Sequence, residues 1–285
     1  MVREFNLINE LGQTYSLMDI ENYSLLTSPS GLGYSYKTEY EQIGNTFITS
    51  LRKLTQGSIY AQLNFKKYDS FKNLVDFLEK SETIRFEYIV PYKSGEKTFY
   101  RDIELQELTK SELQNTNGIL SENVTFNCKS LWYEMINKKY EIDPNANEVR
   151  WDFYNDAYWS GYEVRDMDYI NDGHIDAPIE VTINGEVINP KIELYVEGEL
   201  VKTMAVTGTI AEHEKLLYSS REGDFYIKKQ NTDGTLTNLF SLDYINFNND
   251  NVIRIPPRRD CSVKLQANTD IESASITIYV YYKAV

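Results

Sequence analysis

The stretch that most constrains the fold is residues 169–200, which reads as three short strands joined by two tight turns. Apolar and polar residues alternate through Ile179–Ile183, with the two-residue period of a half-buried strand. Asn184-Gly185 follows at once, and this dipeptide favours a hairpin because both central residues of the turn need positive φ. A second alternating run, Lys191–Val196, ends at Glu197-Gly198, where another turn is expected. A meander of this kind predicts a β fold for the second half of the chain.

Most of the remaining sequence repeats this pattern of short alternating runs between turn residues. Ser58–Phe65, Tyr100–Leu108 and Ala274–Tyr282 are typical examples, and Gly44-Asn45 separates two more. Short strands at regular spacing are typical of β-sandwiches and barrels.

One segment, Asp69–Lys80, has a helical pattern instead. Its apolar residues recur at the first, fourth, fifth and eighth positions of the stripe, namely Phe71, Leu74, Val75 and Leu78. This spacing predicts a helix that packs its apolar stripe on a sheet, with Ser70 as the N-cap.

The polar segment 138–147, which contains Pro144, predicts a linker. The expected organisation is therefore a first β domain over residues 1–137, the linker over 138–147, and a second β domain over 148–285.

The charge balance excludes several kinds of partner. The chain has 29 basic and 43 acidic residues, which gives a net charge of −14. Sequence-specific nucleic-acid binding and attraction to anionic membranes both require a basic surface, so neither is expected. The first residues contain no apolar signal-peptide core, and no apolar run is long enough to span a membrane. The prediction is a protein of the cytoplasm, or one assembled there into something larger.

No motif predicts a catalytic, cofactor or metal site. The two histidines are His174 and His213, and the neighbours in Glu212-His213-Glu214 cannot converge on one ion from a strand or helix. Cys128 and Cys261 lie in apolar, strand-like contexts, which favours two small core residues.

Other motifs that would indicate cofactor binding or catalysis are incomplete or absent. Gly31-Leu32-Gly33 begins like a dinucleotide-binding loop, but Tyr36 occupies the position of the third glycine. No nucleophile elbow is present, and no pair of carboxylates stands out as a glycosidase pair. We therefore predict that the protein is not an enzyme.

Aromatic residues are frequent and leave two interpretations open. Tyrosine accounts for 23 of 285 residues. One dense group comprises Trp151, Tyr154, Tyr158, Trp159 and Tyr162. We favour packing in a core or a seam between domains, because large aromatics usually go to cores and interfaces. The alternative is a set of stacking faces for a sugar.

Several short motifs follow one another along nearly the whole chain. They are Phe5–Asn9, Pro29–Gly33, the helical segment Ser70–Leu78, Phe126–Trp132, Ile170–Gly173, Ile183–Gly185, Asn189–Ile192, Glu214–Ser220 and Ile255–Pro257. No single motif is specific, but their order resembles that of the distal tail (Dit) proteins of long-tailed bacteriophages, the siphophages. Arg258 departs from this pattern, since a glycine-type turn residue is expected after the two prolines.

The resemblance implies a mainly β fold. The N-terminal β domain, split barrel-like with one packed α-helix, would form a ring, and a galectin-like β-sandwich would follow it. The ring would be a homo-hexamer, the baseplate hub of a tail tip in the virion, assembled in the cytoplasm of the host bacterium. It would join the major tail tube protein to a tail-associated lysin or tail fibre protein and to a receptor-binding protein.

The resemblance also implies that DNA passes through the central channel of the ring. The acidic balance of the chain suits this, because a negative lumen repels phosphates. The alternative function is a carbohydrate-binding module that engages host cell-wall saccharide through the C-terminal sandwich.

Overall fold

The computed structural model describes residues 3–21, 24–93, 95–112, 118–141, 165–241, 243–246 and 251–285. The chain divides into two compact units, residues 1–134 with 282–285, and residues 135–281. Within the described residues the fold is mainly β with one α-helix, so the predicted fold class is confirmed. The split barrel-like and galectin-like descriptions, and the domain limits near 137 and 148, remain predictions.

The strands of the first unit are mostly short and antiparallel. They are β1 Glu4–Asn9, β2 Thr14–Ser16, β3 Met18–Asp19, β4 Ser24–Ser30, β5 Tyr36–Ile43, β6 Thr46–Leu54, β7 Ser58–Phe65, β8 Ile84–Tyr92, β9 Gly95–Leu108, β10 Leu120–Cys128 and β11 Trp132–Glu141, which crosses into the second unit. The helix, α1, spans Tyr68–Lys80.

The long strand β9 belongs to two layers of the first unit. Its first part pairs with β8 from Gly95 to Ile103, and this layer continues through β1 to β2. Its last part pairs with β10 from Ile103 to Leu108, and that layer continues in the order β7, β4, β3. Because one strand serves both layers, the core that they enclose is closed along this side.

The core of the first unit is aromatic and aliphatic. Phe5 stacks on Tyr88 with ring centroids 4.8 Å apart, and Phe86 meets Phe126 of the other layer at 6.3 Å. Trp132 is fully buried beside Phe86.

Helix α1 packs on this core as predicted, through buried Leu74 and Leu78 and half-buried Phe71. The predicted N-cap is wrong, because the helix begins at Tyr68 and Ser70 lies buried in its first turn. The Ser70 carbonyl there accepts a hydrogen bond from the Tyr15 hydroxyl at 3.1 Å.

The second unit contains twelve strands among its described residues. They are β12 Arg165–Tyr169, β13 Ala177–Asn184, β14 Val187–Ile188, β15 Lys191–Val196, β16 Glu199–Ala205, β17 Thr209–Ile210, β18 Lys215–Arg221, β19 Asp224–Gln230, β20 Leu236–Asn238, β21 Arg254–Ile255, β22 Cys261–Gln266 and β23 Ser273–Tyr282.

The predicted meander over residues 169–200 is wrong in its first turn. Strand β13 pairs with β18 and β23, whereas β15 pairs with β16 and β22 in a separate sheet. Asn184-Gly185 therefore begins a crossing between two sheets. Both strands bury alternate residues, and a sheet-to-sheet crossing leaves the same alternation in the sequence as a hairpin does.

Gly185 is required here for a close approach and not for positive φ. A Cβ at this position would collide with the carbonyl oxygen of Ala211. The second predicted turn is confirmed, since Glu197 and Gly198 have φ of 55° and 85° between the paired strands β15 and β16. Arg258, the departure noted in the sequence, has φ of 60°, the left-handed conformation in which glycine is expected.

The anchoring of helix α1 can be tested with one substitution. We expect Leu74→Ala to lower the free energy of unfolding by about 2–5 kcal/mol, because it leaves a cavity in a closed core. Asn73→Ala, one residue earlier on the exposed side, is the control and should change it by less than about 0.5 kcal/mol. Urea denaturation monitored by tryptophan fluorescence measures both, and equal values would contradict the packing described here.

Candidate assembly surface

Strands β5 and β6 form a hairpin that stands apart from the two layers of the first unit. They pair with each other from Tyr36 opposite Leu54 to Ile43 opposite Thr46, and Gly44 takes φ of 62° in the turn. Among the described residues neither strand pairs with another. We call residues 34–55 the arm.

The arm exposes large apolar side chains on both faces. The register places Tyr40 and Phe47 on one face, and Ile43, Ile48 and Leu51 on the other. These five side chains are between 45% and 66% exposed. Each of them lies opposite a polar residue of the other strand, for example Phe47 opposite Gln42 and Ile48 opposite Glu41. A two-stranded ribbon is at best marginally stable alone in water. The arm is therefore a candidate assembly surface.

We call residues 31–36 and 55, where the chain passes between the core and the arm, the root of the arm. Hydrogen bonds hold the root in place. The Trp132 indole Nε1 donates to the Leu32 carbonyl at 2.8 Å, and the Thr55 amide donates to the Ser35 carbonyl at 3.0 Å. From the C-terminal end of the chain, which lies in this unit, the Lys283 ammonium donates to the Tyr36 hydroxyl at 3.1 Å. These three hydrogen bonds fix the direction in which the arm leaves the core.

A buried polar group lies beneath the root. Arg101 is 3% exposed, donates through Nε to the Ser130 carbonyl at 2.9 Å, and lies 5.5 Å from the Trp132 ring. Burial lowers the pKa of the Arg101 guanidinium and raises the pKa of the neighbouring Cys128 thiol. The Gln56 amide, just after the arm, donates to the Cys128 carbonyl at 3.1 Å. The polar contacts of this cluster are structural.

The structure describes the cysteines and histidines that were singled out from the sequence. Cys128 and Cys261 are both buried free thiols, which confirms their prediction as core residues. His213 is exposed, with Nε2 3.6 Å from the Glu212 carboxylate. In the part of the chain that the structure describes, no three His, Cys, Asp or Glu residues are grouped to hold a metal ion. The aromatic group from Trp151 to Tyr162 lies outside the described residues.

The second unit has one polar pocket that bears on sugar binding. It has a volume of about 290 Å³ and is lined by Asp168, Tyr195, Asp260 and Lys264, among others. The Lys264 ammonium lies 5.0 Å from the centre of the Tyr195 ring, and the Tyr195 hydroxyl donates to Glu193 at 2.9 Å. The Lys264 ammonium therefore lies over one face of the Tyr195 ring.

The sequence predicts the two strands of the arm but not their exposure. The sequence feature that indicates the exposure of the arm is Phe47-Ile48, two large apolar neighbours inside a strand. Adjacent residues of a strand point to opposite faces, so such a pair places apolar surface on both sides. In a ribbon with no further partner strand, at least one of these faces must be open.

The described residues define a β protein of two units, the first of which carries an exposed hairpin. Residues 4–129 match the family model described as the distal tail protein N-terminal domain. The distal tail protein of Lactococcus phage SK1 is 25% identical over 157 residues, which cover 52% of this chain and 51% of that protein. That of Lactococcus phage p2 has the same identity and coverage. The chain thus spans about half the length of these curated relatives.

Solved structures extend the likeness in fold to the whole chain. A chain of the phage P2 baseplate in its activated conformation has a TM-score of 0.67 and 17% identity, with 100% of both chains covered. The SPP1 Dit protein has a TM-score of 0.58 and 12% identity, with 96% and 98% covered. The match of residues 4–129 to the distal tail protein N-terminal domain and the two curated relatives confirm the predicted resemblance to distal tail proteins.

No helix among the described residues is long and apolar enough to cross a bilayer.

Two glycines of the arm root provide a matched test. Gly31 has φ of 79°, and a Cβ there would collide with the Ser58 carbonyl, whereas a Cβ on Gly33 would meet no atom within 4 Å. We expect Gly31→Ala to lower the free energy of unfolding by about 1–3 kcal/mol, as overpacking does, and Gly33→Ala to leave it within about 0.5 kcal/mol. Thermal or urea unfolding measures the difference. A loss with Gly33→Ala as large as that with Gly31→Ala would contradict the close approach at the root.

Proposed function

We propose that this chain is a structural, non-enzymatic component of a bacteriophage tail tip and resides in the virion. The family match over residues 4–129 supports this role, as does the fold shared with a chain of the phage P2 baseplate. The SPP1 Dit protein is described as a paradigm of the hub adsorption apparatus in phages that infect Gram-positive bacteria. We assign the corresponding place, the hub of the tail tip, to this chain.

The observation that carries the proposal is the arm with apolar residues on both faces. In our proposal the protomers form a homo-hexameric ring, and each arm lies against the neighbouring protomer. A closed ring needs contacts between two different surfaces of each protomer, and an arm that reaches from one protomer to the next provides such a contact.

The size of the apolar surface is adequate for this purpose. Full burial of a side chain the size of leucine or phenylalanine is worth about 1.5–3 kcal/mol. The five side chains are 45–66% exposed, so covering all of them is worth roughly half of this each, about 4–8 kcal/mol in total, which lies within the roughly 4–15 kcal/mol that association costs. Covering only one of the two faces would leave part of this surface in water, so the arm is suited to a position between neighbours.

The ring faces are then available for the remaining partners. We propose that one face receives the tail tube protein and that the other receives a tail-associated lysin or fibre protein, to which a receptor-binding protein is joined. DNA passes through the central channel without sequence-specific binding. Assembly takes place in the cytoplasm of the host bacterium.

The arm contact can be tested with paired substitutions. Phe47→Ser combined with Ile48→Ser removes one apolar side chain from each face of the arm. We expect ring formation to be lost while the circular dichroism spectrum of the protein stays unchanged, because these side chains are exposed in the single chain. Leu200→Ser combined with Leu236→Ser, at exposed positions of the second unit, is the control and should leave the ring intact.

Native mass spectrometry and negative-stain imaging, with and without the tube or lysin partner, measure the outcome. A six-fold ring that survives the arm substitutions would overturn the arm as the contact. A wild-type chain that forms no ring even with these partners would overturn the hexameric hub itself.

A further inference from the structure

A positively charged side chain lies at a core position of the first unit. Arg101 is 3% exposed and faces inward on β9, in line with the buried residues Phe99 and Ile103. The register of β8 and β9 places it opposite Phe86, which is fully buried. Charged side chains are almost never buried to this degree unless an opposite charge compensates them. Arg101 therefore needs a compensating group.

The contacts of Arg101 compensate its charge only in part. Its Nε donates to the Ser130 carbonyl at 2.9 Å, and the guanidinium carbon lies 5.5 Å from the centre of the Trp132 ring. Its Nη1 is buried and has no hydrogen-bond partner. None of the ion pairs among the described residues includes Arg101. The guanidinium thus has unused donors and an uncompensated charge.

The neighbouring side chains do not supply a negative charge. Asp102 is next in sequence but points to the other side of β9, where it accepts a hydrogen bond from the Tyr133 hydroxyl at 2.7 Å and lies 3.8 Å from Arg85. Burial raises the pKa of the Cys128 thiol, so this group stays neutral at pH 7. Burial lowers the pKa of Arg101 itself, but a guanidinium keeps its proton in proteins. A positive charge is therefore left in the core.

The guanidinium extends to a position beneath a glycine. Gly57 lies two residues after the arm and is half-buried. A Cβ on Gly57 would lie 3.1 Å from Nη2 of Arg101, closer than side chains normally pack. The backbone is held here on both sides, because the Gln56 amide donates to the Cys128 carbonyl at 3.1 Å and the Cys128 amide donates to the Gly57 carbonyl at 3.0 Å. The missing side chain at position 57 thus leaves a fixed notch over Nη2.

An oxyanion is the kind of ligand that suits this notch. The Nη groups of an arginine form a planar fork that matches the oxygens of a carboxylate or a phosphate. One such group would accept hydrogen bonds from the unused donors and neutralise the charge at the same time. A neutral ligand such as water would accept a hydrogen bond but would leave the charge uncompensated.

We propose that Arg101 and the notch at Gly57 form a binding site for an oxyanion of the carboxylate type. Two sources offer this chemistry, namely a small carboxylate in solution and an acidic side chain of a second copy of the chain. The chain has 43 acidic residues, so a neighbouring copy presents many such groups. The site is a property of the single chain and stands apart from the proposed ring. Only the second source rests on the proposed function.

Thermal unfolding of the single chain tests the site. Sodium acetate at neutral pH, compared with sodium chloride of equal ionic strength, should raise the Tm of the wild type. The rise should be about 3 °C or more once acetate exceeds its dissociation constant roughly tenfold. Arg101→Met removes the charge and should abolish the rise. Gly57→Ala keeps the charge but places a methyl group over Nη2, and it should abolish the rise as well.

Lys72→Met is the matched control for the loss of one positive charge. Lys72 is an exposed cation on α1, so this variant should keep the full rise in Tm. The control is needed because salts also change stability without binding to a site. No rise in the wild type, or an equal rise in Gly57→Ala, would overturn the site. The comparison with Gly57→Ala decides the question even if Arg101→Met does not fold.

The same measurement on the assembled ring distinguishes the two sources. A carboxylate from a neighbouring copy would fill the notch on assembly, so the rise in Tm with acetate would be present in the single chain and absent from the ring. A rise of equal size in both states would identify the anion as one from solution. If the wild type forms no ring, the proposed function fails, whereas the measurements on the single chain still decide the site.

Discussion

The sharing of β9 between two layers is the constraint on which the first unit depends. Because Ile103 pairs with both Ile84 and Cys128, the layers begin from a common strand and enclose one core. That core fixes Trp132, whose indole holds the loop from which the arm departs. The direction of the proposed assembly surface thus depends on one shared strand.

The arm differs from the rest of the unit in what stabilises it. Elsewhere the alternating residues of each strand bury one side, whereas β5 and β6 are exposed at nearly every position. The root is held by hydrogen bonds from the buried Trp132 and from Lys283. The proposed contact with a neighbouring copy would cover the apolar side chains of this ribbon.

Much of the fold follows from local sequence, and the failures have physical causes. The period of two in Ser58–Phe65 and the helical stripe from Phe71 to Leu78 predict their elements because burial on one side imposes that spacing. The Asn184-Gly185 hairpin fails because a strand pattern reports which residues are buried and not which strand pairs with which. Gly185 is needed for a close approach to Ala211, a contact between residues distant in sequence.

The exposure of the arm also depends on strand pairing, which the sequence pattern does not report. The sequence contains Phe47-Ile48, but the register is needed to place these two side chains on opposite faces of the arm. The resemblance to distal tail proteins implies a ring, and the exposed arm is the surface that we propose the ring uses.

The central claim is that the arm is covered by a neighbouring copy, and hydrogen exchange tests it most directly. Amides of residues 36–54 should exchange rapidly in the single chain and become strongly protected on ring assembly, whereas those of the core strands β7 and β10 should be protected in both states. Unchanged exchange of the arm in an assembled ring would contradict the account.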